Sequence, residues 1–317
     1  MRLVVFDDDR LGLLRGDEVV DATGALRERG FQSPSIVLSD LIREWEMLAP
    51  SLEALLVRER GRPLAQCQLK APVARPGKVI CVPWFQRRPT DRNEASAASA
   101  ARAYLVAPTA LTGPDAVVAL PPRPVDYEVG VALVLDCAAG AHAALSPVFG
   151  YTGAVALLAR GWEERSLRGS RPGFLALGPH LVTHDQLAGP ETLALRAWHN
   201  ESPRLGVGRP PRSDRSARDR TMRGLRRVTK ATVEVVLAGL AQWVALEPGD
   251  VVVLGGFWPA RRLFPGDRVR LVVEPLGQLG FSAAEGAGPE AAAQAAGTRS
   301  AGAVSAPDAV AEASANR

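Results

Sequence analysis

Four histidines and one glycine-serine turn are where short-range chemistry could begin in this chain. His180 and His184 are four residues apart, and on a strand that spacing puts both on one face. A zinc site also needs a third ligand, and no glutamate lies close by. The pair reads as two partly exposed strand residues. His199-Asn200-Glu201 carries the HxE of zinc deaminases without the PCxxC that completes that site. Arg168-Gly169-Ser170-Arg171 lacks the first glycine of a nucleophile elbow. His142 reads as a solvated loop residue. The sequence has no GxGxxG, Walker loop, CxxC or GxSxG. No local motif names a reaction, so any chemistry must come from residues that the fold gathers.

The elements that would gather them are mainly strands. RLVVF and DEVVDA read as short strands with GLLRGDE as a hairpin turn between them. The stretch SPSIVLSDLIREWEMLAPSLEALLVRER has helical spacing, with Ser35 and Ser39 as candidate caps and Pro50 dividing it into two helices. These form a small α+β module over residues 1–70. KVICV, a short continuous apolar run, opens a β-rich region over 71–281. Its strands are AVVALPP, DYEVGVALVLDC, HLVTHDQ, ETLALRAW, GDVVVLGG and DRVRLVVEPLG. Two helices are expected among them, over 145–166 and 228–246. Pro248-Gly249-Asp250 and Pro265-Gly266-Asp267 each open a strand and read as turns. Beyond Phe281 the periodicity stops, and the Ala-rich stretch 282–317 reads as a disordered tail. The fold class is α+β, mainly β.

Composition bounds the alternatives. The chain has 317 residues, 47% hydrophobic and 23% charged, with mean hydropathy +0.01, which argues against a disordered chain or a multi-span membrane protein. No apolar run reaches the length of a membrane span. MRLVVFDDDR turns acidic after a few apolar residues, unlike a signal peptide, so a cytoplasmic location is expected. Cys67, Cys81 and Cys137 read as buried free thiols of a reducing compartment. Pro203 to Lys230 carries ten basic residues against Asp214 and Asp219, a local charge of +8 within a formal net charge of +4. It holds no aromatic residue to stack on bases and no nucleic-acid-binding motif, which argues against nucleic acid as the partner.

The order of KAPVARPGKVICV, ALTGPDAVVALPPRPVDYEVGVALVL, VFGYTGAVA, FLALGPHLVT, VALEPGDVVVLGG and LFPGDRVRLVVEPLGQL resembles the fumarylacetoacetate hydrolase family over residues 1–281. The resemblance implies a mixed β-roll with a small N-terminal α+β domain, commonly a homodimer. Typical members hold Mg²⁺ or a similar hard cation with three carboxylates, two of them from a Glu-x-Glu on one strand face. The matching stretch is Asp126-Tyr127-Glu128-Val129-Gly130, where Gly130 replaces the second ligand. Ala156 stands where the third belongs. The family's catalytic histidine has no counterpart in Phe85-Gln86-Arg87-Arg88-Pro89-Thr90-Asp91-Arg92. Val106 replaces one family lysine, and a second falls near Arg168–Arg171. The family's TGTP-type loop reads Leu254-Gly255-Gly256-Phe257-Trp258-Pro259.

By its position in that pattern, the pocket is lined by Trp84, Phe85, Arg87, Arg88, Tyr127, Tyr151, Arg168, Arg171, Phe174, Phe257 and Trp258, with Glu128 as the candidate catalytic carboxylate. Burial without a cation would push Glu128 toward proton transfer near neutral pH, unless Arg160, Arg168 or Arg171 pairs with it. Such walls suit an apolar ligand. The expectation is a metal-independent enzyme, without cofactor, acting on an apolar polyketide-like or 1,3-dicarbonyl substrate in secondary metabolism. Cyclisation, isomerisation and C–C cleavage all stay open. The alternatives are a non-catalytic partner subunit of an active homologue, and a conventional metal-dependent hydrolase or decarboxylase. The basic segment suggests an anionic partner, such as an acidic carrier protein. No membrane contact is expected.

Overall fold

The structure, a computed structural model, describes residues 1–31, 38–83, 102–136, 147–160, 167–206, 228–255 and 261–286. Its strands are β1 (Arg2–Phe6), β2 (Arg10–Arg15), β3 (Glu18–Asp21), β4 (Arg62–Pro63), β5 (Val79–Val82), β6 (Tyr104–Val106), β7 (Leu111–Thr112), β8 (Ala116–Leu120) and β9 (Val125–Leu135). There follow β10 (Val148–Ala159), β11 (Leu175–Thr183), β12 (Ala194–His199), β13 (Ser202–Gly206), β14 (Val251–Leu254), β15 (Arg261–Leu263), β16 (Arg268–Glu274) and β17 (Gly277–Glu285). The α-helices are α1 (Thr23–Glu28), α2 (Leu38–Arg43), α3 (Trp45–Arg58) and α4 (Lys230–Ala241).

Two sheets share the work. The larger runs β4-β3-β2-β1-β11-β10-β9-β14-β5-β6, with β15 added to β9 and β7 to β11. The smaller runs β13-β12-β16-β17-β8. One core fills the space between the sheets and under α4, around Tyr127, Leu133, Phe174, Leu271 and Phe281. A second covers the other face of the larger sheet and joins Leu41, Leu48 and Leu52 of α2 and α3 in one cluster with Ala154, Leu177 and Val253. The mainly β fold class is therefore what the strands build. Residues 1–70 continue the larger sheet, because β1 pairs antiparallel with β11 (Leu3 opposite Leu181), and they share its second core.

Several elements differ from the sequence expectation. Arg10–Arg15 is a strand between β1 and β3, and the turns are Asp7–Asp9 and Gly16-Asp17, with Asp7, Asp9 and Gly16 at positive φ. Its alternate residues are buried on both sides, so it reads as an apolar run with no hairpin signal inside it. The helical break falls at Glu44, and Pro50 sits inside α3. There it has no N–H to give the Glu46 carbonyl. The expected helix over 145–166 is a strand from Val148 to Ala159. It is buried on both faces between β9 and β11, and a doubly buried strand has the same continuous apolar run as a buried helix. The final strand reaches Glu285, pairing Phe281–Glu285 in parallel with Ala116–Leu120. The small residues Ser282, Ala283 and Ala284 hid that strand in the sequence.

The expected helix at 228–246 is α4, shorter at its end and capped by the Thr229 hydroxyl, which accepts from the Thr232 amide at 3.0 Å. Both PGD turns are built alike. Gly249 and Gly266 take positive φ, and the aspartate carboxylate accepts from the backbone N–H three residues earlier, Glu247 at 2.7 Å and Phe264 at 2.8 Å. Among the described residues, no helix is long and apolar enough to cross a membrane. Cys81 is buried, whereas Cys67 is half-exposed and accepts from Arg62 Nε at 3.2 Å. Cys137, His142 and the stretch 287–317 lie outside the described residues.

Candidate active site

β9 is the central element of the site. All eleven of its residues are buried, because β10 flanks it on one side and β14 and β15 on the other. Side chains alternate between faces along a strand. Tyr127, Val129, Val131, Leu133 and Leu135 therefore face the inter-sheet core. Glu128, Gly130, Ala132 and Val134 face the other way. Cross-strand register fixes the neighbours: Ala156 lies opposite Glu128, and Ala154 opposite Gly130.

The three positions matched to metal ligands thus meet on one face, as a glutamate, a glycine and an alanine. The glycine is enforced. A Cβ on Gly130 would fall on the Leu254 carbonyl oxygen and lie 2.9 Å from its carbon and 3.0 Å from Gly255 Cα. Backbone from β14 occupies the space that a second carboxylate would need. Among the described residues, no three His, Cys, Asp or Glu side chains converge as metal ligands. A hard cation needs several oxygen ligands, and these residues do not fit one held by three carboxylates.

Glu128 is 5% exposed. A Cβ on Gly255 would stand 3.2 Å from its Oε2, so the carboxylate lies against bare backbone. Two residues that sequence reasoning did not select lie near it. Cys81 on β5 and Tyr104 on β6 are cross-strand partners. Burial pushes the Cys81 thiol up to about 12, with the Glu128 charge adding to the rise and a hydrogen bond with Tyr104 opposing it. Burial raises the Tyr104 phenol well above its ordinary value, and Cys81 and Glu128 add to that. Both groups therefore stay protonated at neutral pH. Val106, two residues along β6, completes an apolar wall. No sequence signal marks Cys81 or Tyr104, since the order β9-β14-β5-β6 is a long-range property.

Arg168 reaches this group. Its guanidinium carbon stands 5.4 Å from the centre of the Tyr104 ring, a cation–π distance. Its Nε is shielded from water and has no hydrogen-bond partner. Arg160 is held by the buried Asp126 carboxylate. Arg171 lies half-buried in the following turn, where its carbonyl accepts from the Phe174 amide at 2.9 Å.

The remaining expected residues divide in two. Tyr127, Tyr151 and Phe174 are buried in the inter-sheet core, across the sheet from Glu128. Their place there follows from strand alternation, and they do not line a pocket with it. Burial pushes the Tyr151 phenol up to about 12. The Tyr127 hydroxyl lies 3.2 Å from His199 Nδ1, and His199 Nε2 lies 3.0 Å from Asp267. The HxE histidine is thus part of an inter-sheet tie. Trp84, Phe85, Arg87, Arg88, Phe257 and Trp258 lie outside the described residues, as does most of the basic segment, 207–227.

His180 is on β11, while His184 lies past its end in a 3₁₀ turn, so the two do not share a strand face. His180 is 6% exposed, its Nε2 has no partner and its ring bonds the Pro275 backbone. Burial, with the Arg2 charge adding, brings its pKa down to about 4.

Comparison with known proteins fits this frame. The family profile described as Fumarylacetoacetate (FAA) hydrolase C-terminal matches residues 84–282. A maleylpyruvate hydrolase of Aquipseudomonas alcaligenes is 29% identical over 297 residues, covering 88% of this chain and 98% of that protein. The mitochondrial oxaloacetate tautomerase Fahd2a of Rattus norvegicus is 28% identical over 264 residues, 78% of this chain and 79% of its own. The crystal structure of maleylpyruvate hydrolase from Sphingobium sp. SYK-6 aligns with a TM-score of 0.70 at 27% identity, over 90% of this chain and all of that one. Its complex with manganese(II) ion and pyruvate gives the same score at 26% identity.

Proposed function

The chain belongs to the fumarylacetoacetate hydrolase family, and on that premise we propose a metal-independent enzyme that moves a proton on a 1,3-dicarbonyl or polyketide-like substrate. Its similarity to hydrolases and to a tautomerase supports an enzyme on this fold. The observation that carries the finer reading is the placement of Glu128: a buried carboxylate against the Gly255 backbone, beside the protonated Tyr104 and Cys81.

A carbon between two carbonyls is acidic enough for a carboxylate to deprotonate. Glu128 takes that proton, and the electron pair moves onto a carbonyl oxygen. Tyr104, held protonated, offers a hydrogen bond to the resulting enolate. Glu128 then returns its proton to a carbon or oxygen of the same substrate, so the reaction is an isomerisation with no net consumption of water. Carbon–carbon cleavage asks more, namely an activated water and a strongly stabilised oxyanion, which a metal commonly supplies. One carboxylate and one phenol suffice for proton transfer. That asymmetry favours isomerisation, or a cyclisation that begins with the same enolate, over cleavage. The homodimer usual in the family belongs to the same proposal.

The test is deuterium exchange at the central carbon of a 2,4-dioxo acid, followed by proton NMR in D₂O with excess chelator. The parent protein is expected to accelerate exchange, and Glu128→Gln to lose about 10²–10⁴-fold of that acceleration. Exchange that needs added Mn²⁺ or Mg²⁺, or that survives in Glu128→Gln, overturns the proposal.

A further inference from the structure

We propose that Cys81 is a positioning residue of the Glu128 site: its S–H donates to the Tyr104 phenol oxygen and leaves the phenol's own proton for the enolate. This rests on the reading of the Glu128 face as a proton-transfer site, and it gives a role to a buried thiol that proton transfer by Glu128 and Tyr104 does not itself use.

Three observations carry it. Along β5, Ile80 and Val82 join the inter-sheet core, while Val79 and Cys81 join the core on the Glu128 side of the sheet. Cys81 lies opposite Tyr104 in the antiparallel β5–β6 pair, and the two side chains share a hydrogen bond. Residues directly opposite in such a pair present their side chains on one face. Cys81 is 3% exposed, on a strand buried along its whole length and paired with β14 on one side and β6 on the other. Tyr104 is half-buried on the short strand β6. The thiol is therefore the fixed member of the pair, and the phenol the more accessible one.

Chemistry sets the direction of the bond. Both groups hold their protons at neutral pH, so the pair has two hydrogens and one bond between them. A phenol donating to sulfur would commit its proton to a weak acceptor. With the thiol donating, the acceptor is the phenol oxygen, and the phenolic proton is free for a ligand. As charge grows on the enolate oxygen, the phenol donates to it, the phenol oxygen gains electron density, and the bond from the thiol strengthens. The chain from thiol to phenol to enolate tightens as the reaction proceeds. No bond to sulfur forms or breaks, and Cys81 keeps its proton throughout.

The experiment pairs Raman spectroscopy with the exchange assay, both on the full chain. Subtracting the spectrum of Cys81→Ser isolates the S–H stretching band of Cys81. That band should move to higher frequency in Tyr104→Phe, where the acceptor is gone. In exchange at the central carbon of the 2,4-dioxo acid, Cys81→Ala should lower kcat about tenfold with KM within about twofold of the parent. Cys81→Ser, which keeps a donor, should stay within about threefold of the parent. In a Tyr104→Phe background, Cys81→Ala should bring no further loss, because the thiol acts through the phenol. Cys81→Val removes the donor without leaving a cavity and takes the place of Cys81→Ala if that variant does not fold. An S–H band unchanged by Tyr104→Phe overturns the proposal. So does exchange in Cys81→Ala equal to the parent's, or a loss as large in the Tyr104→Phe background, which would mark Cys81 as packing alone. A parent that shows no exchange overturns the proton-transfer reading and this inference with it. Loss of exchange in Glu128→Gln with none in Cys81→Ala overturns this inference alone.

Discussion

Tyr127 and Glu128 are neighbours in the chain and point to opposite faces of the larger sheet. Tyr127 reaches the smaller sheet through His199, while Glu128 lies against Gly255 on the other side. The two should respond differently to substitution. Tyr127→Phe leaves the buried His199 Nδ1 without this partner, a cost of about 1–3 kcal/mol. Urea unfolding should show that loss, with deuterium exchange little changed. Glu128→Gln should show the reverse. A Tyr127→Phe protein as stable as the parent would mean that His199 is held by Asp267 alone.

Gly130 is closed to any side chain by the Leu254 carbonyl. Gly130→Ala, which ordinarily favours a strand, should here destabilise by about 1–3 kcal/mol, and Gly130→Glu by at least as much. Millimolar Mg²⁺ or Mn²⁺ should leave the melting temperature of the parent and of Gly130→Glu unchanged. A rise of several degrees in either would show that the face can open to form a cation site.

His180 gives the protein an acid-sensitive element. Its pKa is near 4 in the fold and 6.5 as the ordinary value, so the unfolded chain binds the proton more readily. Its contribution is therefore complete above about pH 6.5 and is lost as pH falls toward 4, by up to about 3 kcal/mol. His180→Asn keeps an N–H donor for the Pro275 carbonyl and removes the titration. Its unfolding free energy should fall less steeply than the parent's between pH 6.5 and 4. Parallel profiles would mean that the ring is not the titrating group.

The C-terminal boundary can be set by truncation. A chain ending at Gly286 keeps β17 and its last bond, from the Gly286 amide to the Leu120 carbonyl. It should melt with the full chain, since residues 287–317 contain no bulky apolar residue except Val304 and Val310. A chain ending at Gly280 loses the buried Phe281 and Ala283 and the parallel pairing to β8. It should lose several kcal/mol or fail to fold. Equal melting of both chains would show that β8 needs no partner.

What could be read without coordinates was whatever depends on near neighbours in the chain. Period-two alternation puts Glu128 and Gly130 on one face whatever surrounds them. A glycine before an aspartate makes the two PGD turns, and an ordered series of motifs across the chain carries the family. The resemblance to that family also matches two of its ligand positions to Gly130 and Ala156. The tertiary structure decided everything that depends on which strands lie side by side. Whether Val148–Ala159 is helix or strand turned on its burial between β9 and β11, which an all-apolar run does not reveal. Cys81 and Tyr104 reach Glu128 because β5 and β6 follow β14 in the sheet. Tyr127 left the expected pocket because its face belongs to the inter-sheet core. Backbone from β14, more than a hundred residues further along the chain, closes Gly130. Pairings of that range have no local signature, because the hydrogen bonds that make them join backbone groups that every residue type carries.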